Sequence, residues 1–244
     1  HTRGTVASSA FVGRSNTGVP PPLPTVQSLV WYFTSTRTTV IEVRDEGVTK
    51  YECSFREAEA PPYHTVERLV VVRNELFRRG WIGVYPDGIG FGNVSARSLG
   101  HADFYITGTQ TGHKARLNEQ DICRVTDYDI ARNRVVCEGK VAASSEAMTH
   151  AAVYALDDAI CAVIHVHYRA LWQAGMGNLP TTASAVAYGT PAMAAEMARL
   201  YRASDLPKTR VLIMAGHEEG VIAFGENTDA ALQALLTAAA HLHV

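Results

Sequence analysis

The chain is 244 residues long, 47% hydrophobic and 19% charged, with a formal net charge of −2. That balance suits a soluble globular protein of one large or two small domains, and it gives no basic footprint for nucleic acid or an anionic membrane surface. No apolar run approaches the roughly 20 residues needed to span a bilayer, and the polar start from His1 to Val19 lacks the apolar core of a secretory signal.

Cys53, Cys123, Cys137 and Cys161 are scattered without a C-x-x-C pair and read as reduced, mostly buried thiols of a cytoplasmic protein. Residues 1–60 read as an N-terminal extension. It opens with a Pro-rich arm (Pro20-Pro21-Pro22-Leu23-Pro24). Two strands follow, Val40 to Val43 and Val48 to Phe55, paired as a hairpin around Asp45-Glu46-Gly47. Tyr51, Cys53 and Phe55 alternate with polar neighbours, the pattern of a half-buried strand.

Beyond Pro61-Pro62 the period changes. Thr65 is placed to cap a helix with apolar positions Val66, Leu69, Val70, Leu76 and Phe77 and Gly80 as its stop. A Gly-dense stretch, Gly83 to Gly92, leads into Asn93-Val94-Ser95-Ala96-Arg97. Short strands follow at Phe104 to Ile106, Cys123 to Val125 and Arg134 to Cys137. Ser144-Ser145-Glu146 opens a helix to about Leu156, and Pro191 starts another that reaches about Arg202. Strands at Arg210 to Met214 and Gly220 to Phe224 flank a tight turn, and a terminal amphipathic helix starts near Thr228. Helices and strands interleave throughout, which argues for an α/β or α+β domain with helices covering a sheet.

The chemistry concentrates in Val163-Ile164-His165-Val166-His167, an apolar strand ending in two histidines. Alternate strand residues share a face, so these imidazoles stand roughly 7 Å apart along the chain and are able to converge on one cation with a third ligand. Taken alone, the pair serves equally as two hydrogen-bonded histidines at a strand end. Position favours His217, in a Gly-flanked turn between apolar strands, over His150 as the third ligand. Other folds that use His-x-His fit poorly. A cupin needs a carboxylate soon after the pair, whereas the next acidic residue is Glu196; an amidohydrolase barrel needs far more chain after it. Ser144-Ser145-Glu146 reads as a plain helix N-cap or as an anion site with a reactive carboxylate. The small-residue loops Gly90 to Ser95 and Thr107 to Gly112 read as turns or as close-approach surfaces for an anion.

Five segments in this order resemble the class II aldolase/adducin family: Gly92 to Arg97 (Gly-Asn-x-Ser-x-Arg), the Ile-Thr…Thr-Gly loop, Ser-Ser-Glu, the His-x-His strand, and the late Gly-His…Gly. The resemblance runs from about Thr65 to the C-terminus and assigns residues 61–244 to one class II aldolase-like domain. It implies a three-layer αβα sandwich with a largely antiparallel central sheet, commonly assembled as a homotetramer. It implies a divalent metal, usually Zn2+, on His165, His167 and His217, with Glu146 as catalytic acid/base. It places substrate phosphate against Gly92, Asn93, Thr111, Gly112, Ser144 and Ser145, with Thr111-Gly112 preferred over Thr107-Gly108, and without a Lys or Arg in the grip. The activity implied is cleavage of a small phosphorylated ketose through a metal-stabilised enediolate. Epimerase, dehydratase and non-catalytic adducin-like members are the alternatives. Two departures stand out. Thr181-Thr182 occupies the place of a tyrosine that fuculose-phosphate aldolases supply from a neighbouring subunit, and Glu218-Glu219 follows His217 where the family usually has glycine.

Overall fold

Pro61-Pro62 sets the first clear boundary of the fold. The fixed φ of Pro62 (−55°, with ψ 133°) delivers an extended chain into helix α1 (Tyr63–Arg78). The helix therefore begins two residues before Thr65, whose N–H donates to the Pro62 carbonyl, so Thr65 is not the cap. The other end behaves as its sequence requires: Gly80 takes φ +72° and turns the chain away. The computed structural model describes residues 47–244. The Pro-rich arm, the strand at Val40 to Val43 and most of the expected hairpin turn lie outside the described residues.

After α1 come the short strands β2 (Gly83–Val84) and β3 (Gly90–Phe91), which pair with each other. The main sheet takes β1 (Glu52–Glu57), β4 (Asn93–Ala96), β5 (Phe104–Thr107), β6 (Ile122–Asp129) and β7 (Arg134–Gly139). It is completed by β8 (Ala162–His167), β9 (Val211–Ile213) and β10 (Gly220–Gly225). The order across the sheet is β1-β7-β6-β5-β4-β8-β10-β9. Every neighbouring pair is antiparallel except β1 with β7.

In that exception β1 runs parallel to a strand some eighty residues downstream, with Cys53 opposite Cys137. It also places a strand of the main sheet upstream of residue 61. β1 is not half-buried: all six residues are exposed and Phe55 keeps 43% of its surface, and among the described residues it stands at the edge of the sheet. Tyr51, just before it, is the residue that enters the core.

The remaining helices are α2 (Ala147–Tyr154), α3 (Arg169–Gly175), α4 (Pro191–Ala203), α5 (Leu206–Thr209) and α6 (Thr228–His241). Two cores lie on opposite faces of the sheet. One gathers Met148, Ala151 and Val153 of α2 and Met193 and Met197 of α4 against Phe104, Val125, Val163 and Ile222. The other gathers Leu69, Val72 and Leu76 of α1 and Leu235 of α6 against Val94, Ile164, Val166 and Val221. This is the three-layer αβα sandwich, and β8 lies inside it with all six residues buried. Its alternation is strict in its consequences. Ile164 and Val166 face the α1/α6 layer, which leaves His165 and His167 on the same face as Val163, toward α2. Among the described residues, no helix is long and apolar enough to cross a membrane.

Because β8 packs on both faces, trimming it is costly. Ile164 is fully buried, and Ile164→Ala is expected to destabilise the fold by about 2–5 kcal/mol, read as a lowered midpoint in urea unfolding with an unchanged slope.

Candidate metal centre

Three segments bring the titratable groups together. β8 supplies His165 and His167. The turn between β9 and β10 supplies His217, whose N–H donates to the Met214 carbonyl while its own carbonyl accepts from Gly220. Glycine is required on both sides of it. A Cβ at Gly216 would lie 2.5 Å from the Ser184 carbonyl oxygen, and one at Gly220 would lie 2.4 Å from the His217 ring. Glu146 arrives at the N-cap of α2 but makes no capping bond. Neither serine caps that helix through a well-formed bond: the Glu146 N–H lies 3.5 Å from Ser144 Oγ. The carboxylate is turned instead toward the histidines.

The resulting cluster is compact and dry. His165, His167 and His217 each present a ring nitrogen, and these atoms lie within 4.8 Å of one another. His167 Nε2 stands 2.9 Å from His217 Nε2. Glu146 Oε1 is 3.1 Å from His165 Nε2 and 3.4 Å from His217 Nε2. Glu146 is 1% exposed, and its two oxygens, like both ring nitrogens of His165, lack a hydrogen-bond partner. Buried polar atoms are rarely left in that condition. Three imidazoles with ring nitrogens within 4.8 Å of one another, beside a carboxylate, are a donor set suited to a divalent cation with metal–nitrogen bonds of about 2.0–2.1 Å. Burial pushes the Glu146 carboxyl up, but His165, His217 and His150 outweigh it, leaving the group ionised with a pKa of about 2.

His150 does not join the cluster. Its Nδ1 is 2.6 Å from Ser95 Oγ, which in turn lies 2.7 Å from the Tyr154 hydroxyl. Burial drives its pKa down to about 3, so it is a neutral core histidine. It is His217, and not His150, that the structure brings beside His165 and His167.

A cavity of about 470 Å³ abuts this cluster and is lined by Gly92, Asn93, Thr111, Gly112, Ser144 and Ser145 together. Asn93 sits opposite His165 in the β4–β8 ladder, and its Oδ1 is buried without a partner. Gly108 also lines the wall, so the cavity contains the glycines of both loops. The Thr111 hydroxyl donates to the Gly108 carbonyl at 2.8 Å, which spends its proton within the loop. Among the described residues, the main-chain N–H groups of Thr111 and Gly112 have no such engagement. Glycine at 112 is a matter of space: a Cβ there would meet the Gly83 carbonyl oxygen at 2.3 Å and Gly90 Cα at 2.9 Å.

Sequence reasoning missed Arg73. It is 1% exposed on α1, and its guanidinium donates to the carbonyls of Thr111 (2.9 Å), Gly112 (3.4 Å) and Lys114. Burial lowers its pKa to about 10, against the pull of Asp121, so it remains a cation behind the loop. Among the described residues, no Lys or Arg lines the cavity itself. An arginine at a buried position of an otherwise apolar helical face was the available signal.

Tyr85 was missed as well, and its hydroxyl lies 2.7 Å from His167 Nδ1. The tyrosines noted in sequence are placed otherwise: Tyr168 stacks on Trp81, and Tyr188 packs edge-on to His217 while its hydroxyl bonds the Val48 main chain. Thr182 accepts the Ala215 N–H and has a structural part.

The fold resembles several solved structures at low identity. YgbL from Klebsiella pneumoniae, a putative aldolase/epimerase/decarboxylase, matches at TM-score 0.55 and 19% identity over 75% of this chain and 89% of that one. A sugar-phosphate aldolase from Thermotoga maritima matches at 0.51 and 14%, over 74% and 95%. An L-fuculose 1-phosphate aldolase matches at 0.50 and 20%, over 74% and 85%. A comparison with curated protein sequences finds no significant match. The sequence model of the Class II Aldolase and Adducin N-terminal domain matches residues 67–243, and the chain belongs to that family.

Proposed function

We propose that this chain is a metal-dependent aldolase that cleaves a small phosphorylated ketose. The observation that carries the reading is the buried carboxylate of Glu146, 3.1 Å from one histidine of a three-histidine cluster and without a hydrogen bond of its own. An interaction module has no use for such a group, since a buried carboxylate held only against imidazoles is costly to keep.

His165, His167 and His217 would hold the cation, with Zn2+ the natural choice for a compact imidazole set. Bound there, a divalent cation supplies Lewis-acid polarisation of the substrate's carbonyl and hydroxyl oxygens. The chain's own residues do the rest. Gly92, Asn93, Thr111, Gly112, Ser144 and Ser145 grip the phosphate through main-chain N–H groups and hydroxyls. Arg73 lends positive charge from behind the loop and fixes the loop carbonyls away from the anion. As the carbon–carbon bond breaks, Glu146, ionised at the start, takes up the hydroxyl proton of the carbon that leaves as aldehyde, the bond's electron pair moves toward the former carbonyl, and Glu146 returns the proton to the new carbon terminus. In the synthetic direction Glu146 removes that proton, which suits a carboxylate held ionised in a dry site. A homotetramer and a cytoplasmic setting belong to the same proposal. Residues 1–60 are then an extension outside the catalytic unit, apart from β1, which the sheet has taken in.

Retro-aldol assays over a panel of ketose phosphates test the reaction. The expected result is release of an aldehyde from at least one, abolished by a chelator and restored by metal. A folded, metal-loaded sample that cleaves none contradicts it, and interconversion of epimers without aldehyde release moves the assignment to a 4-epimerase. Glu146→Gln is expected to retain metal and lower kcat by about 10²–10⁴-fold; full activity would remove Glu146 from the proton transfer. Arg73→Met is expected to raise KM for the phosphorylated substrate about tenfold, equivalent to about 1.4 kcal/mol, while KM for its dephosphorylated analogue changes little.

A further inference from the structure

We infer that Tyr85 and Glu219 are positioning residues that fix the tautomer and ring orientation of His167 for metal binding. The inference rests on the metal reading above and adds to it two residues outside the three-histidine set.

The geometry leaves little freedom. His167 directs Nε2 into the cluster, 2.9 Å from His217 Nε2, and Nδ1 out of it, 2.7 Å from the Tyr85 hydroxyl. The Tyr85 hydroxyl also lies 3.3 Å from Glu219 Oε2. A phenol has one proton to give. A carboxylate accepts and does not donate, so Glu219 claims the Tyr85 proton. Tyr85 Oη is then left as the acceptor for His167, which must carry its own proton on Nδ1. That makes Nε2 the nitrogen that carries the lone pair on the cluster side, the tautomer a ligand needs. Each member of the chain has one direction of donation, and reversing any one of them strands the next.

Both residues are held for this contact. Tyr85 sits where β2 ends, with its N–H donating to the Ile89 carbonyl and its carbonyl accepting from Gly88, so the turn is closed on both sides of it. Phe91 packs against the rings of Tyr85 and His167 at centroid distances of 4.5 and 5.3 Å. Glu219 adopts φ +66°, a left-handed conformation that a side chain other than glycine takes up at a cost. Its carbonyl accepts from the Tyr168 N–H, the residue after His167. Arg169 pairs with its carboxylate and, at 3.2 Å, with Glu218. The two carboxylates that set this turn apart from its family thus have a local use: Glu219 ends the chain from His167, and Glu218 helps to anchor the arginine that holds it.

Two measurements test the inference. In the metal-free parent protein, long-range proton–nitrogen NMR is expected to show His167 as the Nδ1–H tautomer, shifted toward a mixture in Glu219→Gln. An Nε2–H tautomer in the parent overturns the inference without reference to any metal. Co2+ titration of the same protein, followed by absorption, is expected to give an affinity lowered about 10–100-fold in Tyr85→Phe. Glu219→Gln should lower it in the same direction by less, and the double variant should be no weaker than Tyr85→Phe alone, because the Glu219 effect passes through Tyr85. Unchanged Co2+ affinity in Tyr85→Phe, or additive losses, overturns it; should Tyr85→Phe fail to fold, Glu219→Gln alone decides. A parent that binds no Co2+ fails the metal reading itself, an outcome distinct from a parent that binds and a variant that binds equally well.

Discussion

Four polar side chains are buried against one another at the centre of this molecule, and their mutual satisfaction is the constraint around which the rest is arranged. β8 is covered on both faces, so any imidazole it carries is removed from water. Burying an ionisable group without partners costs several kcal/mol, of the order of a domain's whole stability. The sequence meets that cost by concentration. Two histidines on the same face of the strand meet a third from the β9–β10 turn and a carboxylate from the start of α2, all within one small volume. Even so, the atoms of Glu146 and His165 remain without hydrogen bonds. The fold thus retains a polar centre with a donor set that could hold a cation.

The neighbouring cavity follows a different economy. Its wall is made of glycine, small hydroxyls and main chain, and Gly92, at φ +74°, lies packed against Ile82 and the Trp81 and His165 carbonyls. A buried positive charge stands one layer back, on Arg73, where it braces three carbonyls. On the proposed function, that charge attracts a phosphate without committing a flexible side chain to its grip. It also ties the α1 layer mechanically to the site, since loosening Arg73 releases the loop.

Legibility from sequence tracked periodicity. β8, β10 and α6 announce themselves through apolar alternation or helical spacing, and the sheet's histidines inherit their placement from that period. Glu146 and the glycines became legible only through their order along the chain, because a Ser-Ser-Glu helix start or a Gly-Asn turn is commonplace singly. What escaped was set by long-range pairing. The parallel match of β1 to β7 has no local signature, and Thr65 yields its capping place to the geometry of Pro62. Arg73 and Tyr85 escaped for the same reason: each acts on a group far away in sequence, the first on residues 111–114 and the second on His167. Glu218 and Glu219 were visible as a departure, but their use depends on Arg169 and Tyr85 and is apparent only in three dimensions.

The central claim is that the buried polar cluster is a metal site and not a self-satisfied core. Elemental analysis after zinc loading and exhaustive dialysis tests it most directly. The account predicts one zinc per chain in the parent and none in His165→Ala, with His150→Gln retaining the full equivalent. A folded parent that holds no stoichiometric metal, or a His165→Ala variant that holds as much as the parent, would contradict it.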